Sequence, residues 1–341
     1  MARPRRPAAA RPPPRSRGAA RAGRALTATP FGHGAEPRCS ERSRDTGEEL
    51  GGTASRIRSW LVIEQPGPWG ADAVPSSRLA RDVGRELARR CRPLGVRIVL
   101  IRRPTAGPIG TRSVFVAHSD PARPQLRRAD LDDERDLLDI PTGAVARGDL
   151  SRVGRPHDEP LYLVCTNGKR DVCCAINGRP LVRELTSVEP ERTWECSHIG
   201  GDRFAANLVV LPDGLYFGRV APADVAPLTA GLREGRVLLS RYRGRSWYDR
   251  ASQFAEISAR RRFGLEELDG VGVEWRQRRP GDGAVRVGVR LADGSSVVVE
   301  LRTRVYEPRP LTCTSTVPVA PWTFDDVDEV PPSAPGDGNR R

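Results

Sequence analysis

The sequence predicts an α/β protein built as two lobes, residues 36–155 and 156–240, followed by a small α+β region at 241–319. Three observations carry this. Two strand-like runs, WLVIE (60–64) and VRIVLI (96–101), flank a segment whose apolar residues recur every fourth position. A second strand–helix–strand pattern begins at LYLVC (161–165). Beyond residue 245, alternating apolar runs replace the mixed pattern. Strands alternating with helices point to α/β architecture.

In the first lobe the segment 77–92 places Leu79, Val83, Leu87 and Cys91 on one face, which predicts a helix with Cys91 as a core residue. A third strand is expected at 112–118, ending in His118, a lone histidine read as structural. The stretch 126–139 (LRRADLDDERDLLD) is charged on most faces and is read as a solvated helix or loop. In the second lobe, LYLVC is followed by a helix at 176–186, a strand at 193–196 (TWEC) and an apolar hairpin at 207–220. Asp213-Gly214 is the expected tight turn of that hairpin. A closing helix at 222–233 completes a β-α-β-β-α order, the order of a thioredoxin-like lobe. The last region reads as a helix at 249–262 and strands at 271–277, 284–291 and 296–303. Cys313 stands alone there, with a structural role expected. Residues 1–35 and 320–341 are Arg-, Pro-, Ala- or Gly-rich and read as disordered tails.

The formal charge is +13, but its location matters more than its sum. Arg3, Arg5, Arg6, Arg11, Arg15, Arg17, Arg21 and Arg24 lie in residues 1–35 with no acid among them, so most of the excess belongs to the tail. Aromatic residues make up 5% and do not interleave with basic clusters, so a nucleic-acid partner is not expected. No apolar run approaches the ~20 residues of a membrane helix. Seven cysteines in 341 residues are too sparse for a disulfide scaffold. No secretory signal pattern opens the chain, so a cytoplasmic location with free thiols is expected.

The chemistry gathers in 165–202. Cys165 and Cys174 are separated by eight residues, Cys173 adjoins one of them, and Cys196 lies just before His198. His198 and Asp202 flank Gly200-Gly201, whose missing side chains allow backbone to approach an inorganic centre. Thiolates, one imidazole and one carboxylate suit an iron–sulfur cluster, zinc or another transition metal, and spacing does not choose among them.

These residues carry a resemblance. The C-x8-C pair, the His-x-Gly-Gly motif running into RFAAN, the stretch GTASRIRSWLVIEQPGPWG (52–70) and YRGRSWYDRASQFAE (242–256) together resemble the sucrase/ferredoxin-like family. The resemblance covers roughly 36–320. It implies a thioredoxin-like [2Fe-2S] lobe, one-electron transfer with a redox partner protein, and an electron carrier rather than an enzyme. In relatives the cluster is held by C-x8-C and by two histidines spaced H-x3-H. This implies Cys165, Cys174 and His198 as ligands, with Cys165 and Cys174 on one iron. Asp202 stands where a second histidine would be. Either Asp202 completes the site beside His198, or Cys173 or Cys196 does. A carboxylate in place of an imidazole makes the cluster more negative, so a potential between the Rieske and plant-type ranges is expected. Lys169, Arg170 and Arg203 flank the cluster loops and could face an acidic partner.

Two rival chemistries use the same residues. Structural zinc could take Cys165, Cys174, Cys196 and His198. Thiol–disulfide exchange usually needs Cys-x-x-Cys, which is missing from this sequence. Glycoside hydrolysis needs two placed carboxylates, and no motif places them.

Overall fold

In the computed structural model, residues 37–105, 110–279 and 283–328 are described. The chain opens with α1 (Cys39–Asp45), then β1 (Ser59–Glu64), α2 (Arg81–Cys91), β2 (Val96–Arg102), β3 (Arg112–His118), β4 (Gln125–Leu131), α3 (Thr142–Ala146) and the short β5 (Arg155–Pro156). There follow β6 (Leu161–Cys165), α4 (Val172–Val188), β7 (Thr193–Cys196), β8 (Leu208–Leu211), β9 (Leu215–Phe217), α5 (Val225–Arg233) and β10 (Tyr242–Arg245). The chain then forms α6 (Arg250–Phe263), β11 (Val271–Arg278), β12 (Val285–Leu291), β13 (Ser296–Val305) and β14 (Trp322–Asp326).

The first ten strands form one sheet in the order β10-β9-β8-β6-β7-β2-β1-β3-β4-β5. The expected division at 155/156 is therefore a seam within a single sheet. β2 and β7 pair antiparallel across it. On each side the pattern is the same: β1 and β2 are parallel across α2, as β6 and β7 are across α4, and β3 and β8 pair antiparallel with β1 and β6. Each half thus has the strand order of a thioredoxin-like core, and the two are related as by a twofold axis through the seam. The expectation of a thioredoxin-like second lobe holds, and the first lobe repeats its topology.

Alternation along the strands sorts the core. Trp60, Val62, Phe115, Leu163, Cys165, Trp194, Cys196 and Val209 pack on one face across both halves. Leu61, Ile63, Val114 and Val116 pack with α2 residues on the opposite face of the first half, and Tyr162, Val164, Leu208 and Val210 with α4 residues in the second. Period-two burial on both faces is what a central sheet strand requires.

Four readings are corrected. The charged stretch 126–139 begins as strand β4, which pairs with β3 along its length. Leu126 alone among its side chains is fully buried, so an edge-side strand carried little apolar signal. β10 belongs to the large sheet rather than to the C-terminal region. The helix expected at 176–186 starts at Val172, with Asp171 as N-cap accepting from the Cys173 amide. The tail expected from 320 contains β14, which pairs with β13. Residues 1–35 and 329–341 lie outside the described residues.

The C-terminal sheet, β11-β12-β13-β14, packs its Val287, Val289, Val299 and Leu301 against Ala251, Phe254, Ala255 and Ala259 of α6. Ile257 of the same helix packs into the core of the second half, so α6 is buried between the two sheets. The segment 306–321 between β13 and β14 runs back to the N-terminal part of the chain. There Arg309 donates to Glu48 at 2.8 Å and the Glu49 amide donates to the Tyr306 hydroxyl at 2.9 Å.

Candidate metal centre

β6 delivers Cys165 at its C-terminal end, where ligand sites of α/β sheets gather. The Asn167 amide faces its sulfur, and the Cys165 amide donates to the Asn207 carbonyl at 3.0 Å. Cys174 follows on the first turn of α4. That helix can approach Cys165 closely because it carries Gly178, where a Cβ would lie 2.3 Å from the Cys165 carbonyl oxygen.

The third donor comes from the loop after β7. Every carbonyl from His198 to Gly201 accepts from a side chain: His198 from Arg97 (2.8 Å), Ile199 from Ser55 (2.9 Å) and Tyr216 (3.1 Å), Gly200 from Arg243 (3.1 Å) and Gly201 from Asn207 (2.8 Å). Gly200 and Gly201 have φ of 102° and 84°, the left-handed region that favours glycine. A Cβ on Gly201 would lie 2.4 Å from an Arg243 nitrogen. Arg243 is fully buried and also donates to Asn207 Oδ1 at 2.8 Å and Thr53 Oγ1 at 3.0 Å. Such a network fixes a loop whose backbone would otherwise be free.

As a result Cys165 Sγ, Cys174 Sγ and an imidazole nitrogen of His198 lie within 4.8 Å of one another. Asp202 touches two of the three: its Oδ1 accepts from the Cys174 thiol at 3.2 Å and lies 2.9 Å from His198 Nδ1. Nδ1 is buried, and Asp202 is the charged group against it. Cys165 and Cys174 are buried, while the His198 side chain is 19% exposed and forms the solvent edge of the group.

The charges are coupled. Cys174 and His198 beside it hold the Cys165 thiol down to about 5, against burial. Burial opposes the charge on His198, yet the Asp202 carboxylate and Cys165 raise it to about 9. Burial would raise Asp202, and His198 brings it below its ordinary value. The arrangement favours an anionic sulfur beside a cation, and a metal would take the place of the imidazolium proton.

The family profile for sucrase/ferredoxin-like proteins matches residues 50–244, more than half of the chain. The chain belongs to the sucrase/ferredoxin-like family. Among curated proteins it is similar to altered inheritance of mitochondria protein 32 of three organisms. That of Meyerozyma guilliermondii is 32% identical over 97 residues, 25% of this chain and 34% of that protein. That of Eremothecium gossypii is 32% identical over 117 residues, 30% of this chain and 37% of that protein. That of Candida glabrata is 29% identical over 102 residues, 26% of this chain and 33% of that protein. The chain thus spans about a third of the length of the curated relatives it matches. Two crystal structures of cysteine-to-serine variants of a thioredoxin-like [2Fe-2S] ferredoxin from Aquifex aeolicus align with 25% of this chain and 97% of theirs. Their TM-scores are 0.22 and 0.23, at 18% and 17% identity.

Within this sucrase/ferredoxin-like chain the two alternates are placed apart from the group. Cys196 pairs in register with Cys165 and is buried in the core. Like Asp202 it is outside the set of donors that lie within 4.8 Å of one another, but unlike Asp202 it has no hydrogen bond or ion pair with His198 or Cys174 among the described residues. Cys173 points away from Cys174 and packs with Cys39 and Ala205. Consecutive residues on a helix diverge, so both could not serve one centre. The expected basic face is reduced. Lys169 and Arg170 are exposed, whereas Arg203 is held by Glu48 at 2.7 Å and lies over the Phe204 ring. Arg97 and Arg243 left no sequence signal because their partners on the His198–Gly201 loop are backbone carbonyls, which carry no residue pattern. Among the described residues, no helix is long and apolar enough to cross a membrane.

Proposed function

We propose that Cys165, Cys174, His198 and Asp202 hold one [2Fe-2S] cluster, and that the protein passes single electrons to and from a redox partner. The observation that carries this reading is two buried thiols, one at the end of β6 and one on α4, within 4.8 Å of each other and of an imidazole nitrogen on a loop with all its carbonyls held. The donor chemistry fits: two soft sulfurs, one imidazole nitrogen and one carboxylate beside the imidazole. When bound, such a cluster supplies one reversible electron.

The protein's own residues do the rest. Arg97, Ser55, Tyr216, Arg243 and Asn207 fix the His198–Asp202 loop, so little rearrangement need accompany a change of charge. Trp194 and Cys196 pack with Cys165 on the sheet face and keep water from the sulfurs. His198, at the exposed edge, is the donor nearest a partner, with Lys169 and Arg170 on the adjacent surface. Asp202 in place of a neutral imidazole adds one negative charge, which opposes reduction.

Anaerobic reconstitution with iron and sulfide should give visible iron–sulfur absorption and, on reduction, an EPR signal. Colourless protein would sink the reading. Asp202→His should raise the midpoint potential on the order of 100 mV, since it removes one negative charge, while Cys196→Ala should leave the spectrum in place.

A further inference from the structure

We propose that Cys39, Asp171, Cys173 and Cys313 form a second, mononuclear metal site that binds zinc. Their donor atoms all lie within 4.8 Å of one another. The three sulfurs form a triangle, with Cys39 3.6 Å from Cys173, Cys173 3.4 Å from Cys313 and Cys313 3.5 Å from Cys39. Asp171 lies on one side of it, its two oxygens 3.7 and 3.6 Å from Cys39 Sγ.

These separations are informative. Zinc–sulfur bonds of about 2.3 Å in a tetrahedron put the sulfurs about 3.8 Å apart, close to the edges of this triangle. A disulfide would need about 2.05 Å, and three thiols cannot pair off evenly. Three thiolates and one carboxylate are a donor set that soft divalent zinc accepts, and four protein ligands leave no open position, as in structural rather than catalytic zinc sites.

The surroundings are built for bound anions. Both Asp171 oxygens are oriented by amides, Oδ1 by Cys173 at 2.9 Å and Oδ2 by Cys313 at 2.7 Å. The Ser40 hydroxyl donates to Cys173 Sγ at 3.2 Å. Such outer contacts fix ligands and temper thiolate charge. Zinc with three thiolates and a carboxylate leaves a net charge of −2, and the site sits at the first turn of α4, whose dipole favours negative charge. Binding releases the thiol protons to solvent, so no oxidant or reductant is needed.

The site joins parts of the chain that nothing local would join. Cys39 is on α1, Asp171 caps α4 with Cys173 in its first turn, and Cys313 is on the segment between β13 and β14. Cys39 and Cys313 both lie outside the residues that the family profile matches, 50–244. The next residue, Cys174, belongs to the candidate cluster site. Zinc at Cys173 would therefore lock the turn that presents Cys174, while fastening α1 and the 306–321 segment over it.

The test uses the full chain carrying Cys165→Ser and His198→Ala, which removes the first donor group. Purified from zinc-supplemented medium, it should hold about one zinc per chain, and a further Cys313→Ser should cut this at least tenfold. Cobalt substituted for zinc should show the intense visible bands of tetrahedral thiolate coordination, lost in the same variant. Cys313 is exposed, so its serine variant should retain the fold by circular dichroism even if Cys39→Ser does not. Zinc content unchanged by Cys313→Ser would overturn the proposal. So would a chain that holds no zinc, or a disulfide among the three cysteines in unreduced peptide maps.

Discussion

The two halves of the ten-stranded sheet share a topology and differ in chemistry. At one level of the sheet, Glu64 pairs with Ile101, Ile101 with Cys196 across the seam, and Cys196 with Cys165. Glu64 therefore occupies in the first half the place that Cys165 has in the second. Its carboxylate accepts from the Ser113 amide at 3.0 Å. The loop after β1 buries Trp69, with Arg102 over its ring, where the loop after β6 leads to Cys174. The same scaffold thus carries a donor group in one half and plain packing in the other. What the comparison teaches is that topology supplies the strand end, and individual residues supply the site.

Substitution at the matched positions tests this most severely. Cys165→Ser should abolish iron–sulfur absorption after reconstitution, whereas Glu64→Gln should leave iron content and spectrum unchanged. Loss on Glu64→Gln would mean that the first half also contributes donors.

The arginines come next in size. Arg243→Met strands acceptors on Gly200, Asn207 and Thr53 and should cost about 3 kcal/mol in urea denaturation. Arg97→Met, which withdraws one bond from the first half to His198, should cost about 1 kcal/mol. Equal costs would show that the seam holds the loop as firmly as the second half does.

A third comparison separates the helices. In α4, Gly178→Ala drives a methyl to 2.3 Å from the Cys165 carbonyl and should destabilise by about 2 kcal/mol. In α2, a Cβ at Gly84 meets Val74 at an ordinary 3.5 Å, so Gly84→Ala should gain up to about 1 kcal/mol from helix propensity. Thermal melts of the pair would reveal whether only the second half is built for close helix approach.

Much of this was legible in the residues. Apolar periodicity marked β1, α2, β2, β3, β6 and the β8–β9 hairpin, because each is buried on at least one regular face. The candidate donors Cys165, Cys174, His198 and Asp202 lay within one short stretch, and a strand end and a glycine pair bring the first three within 4.8 Å of one another. β4 was missed because an edge-side strand buries few side chains, and β14 because a short strand in a polar segment gains its order from β13. The Asp171 N-cap was a readable signal for an earlier start to α4. It would also have separated Cys173 from Cys174.

The sequence by itself marked most of the elements and gathered the first candidate donors into 165–202, since periodicity and motif spacing are local features. Only the tertiary structure decided that the two lobes share one sheet, that Cys173 serves a different place from Cys174, and that Cys39 and Cys313 meet it there. Cys39 and Cys313 are 274 positions apart. Contacts of that span arise from sheet pairing and helix packing summed over the whole core, and no local pattern records them.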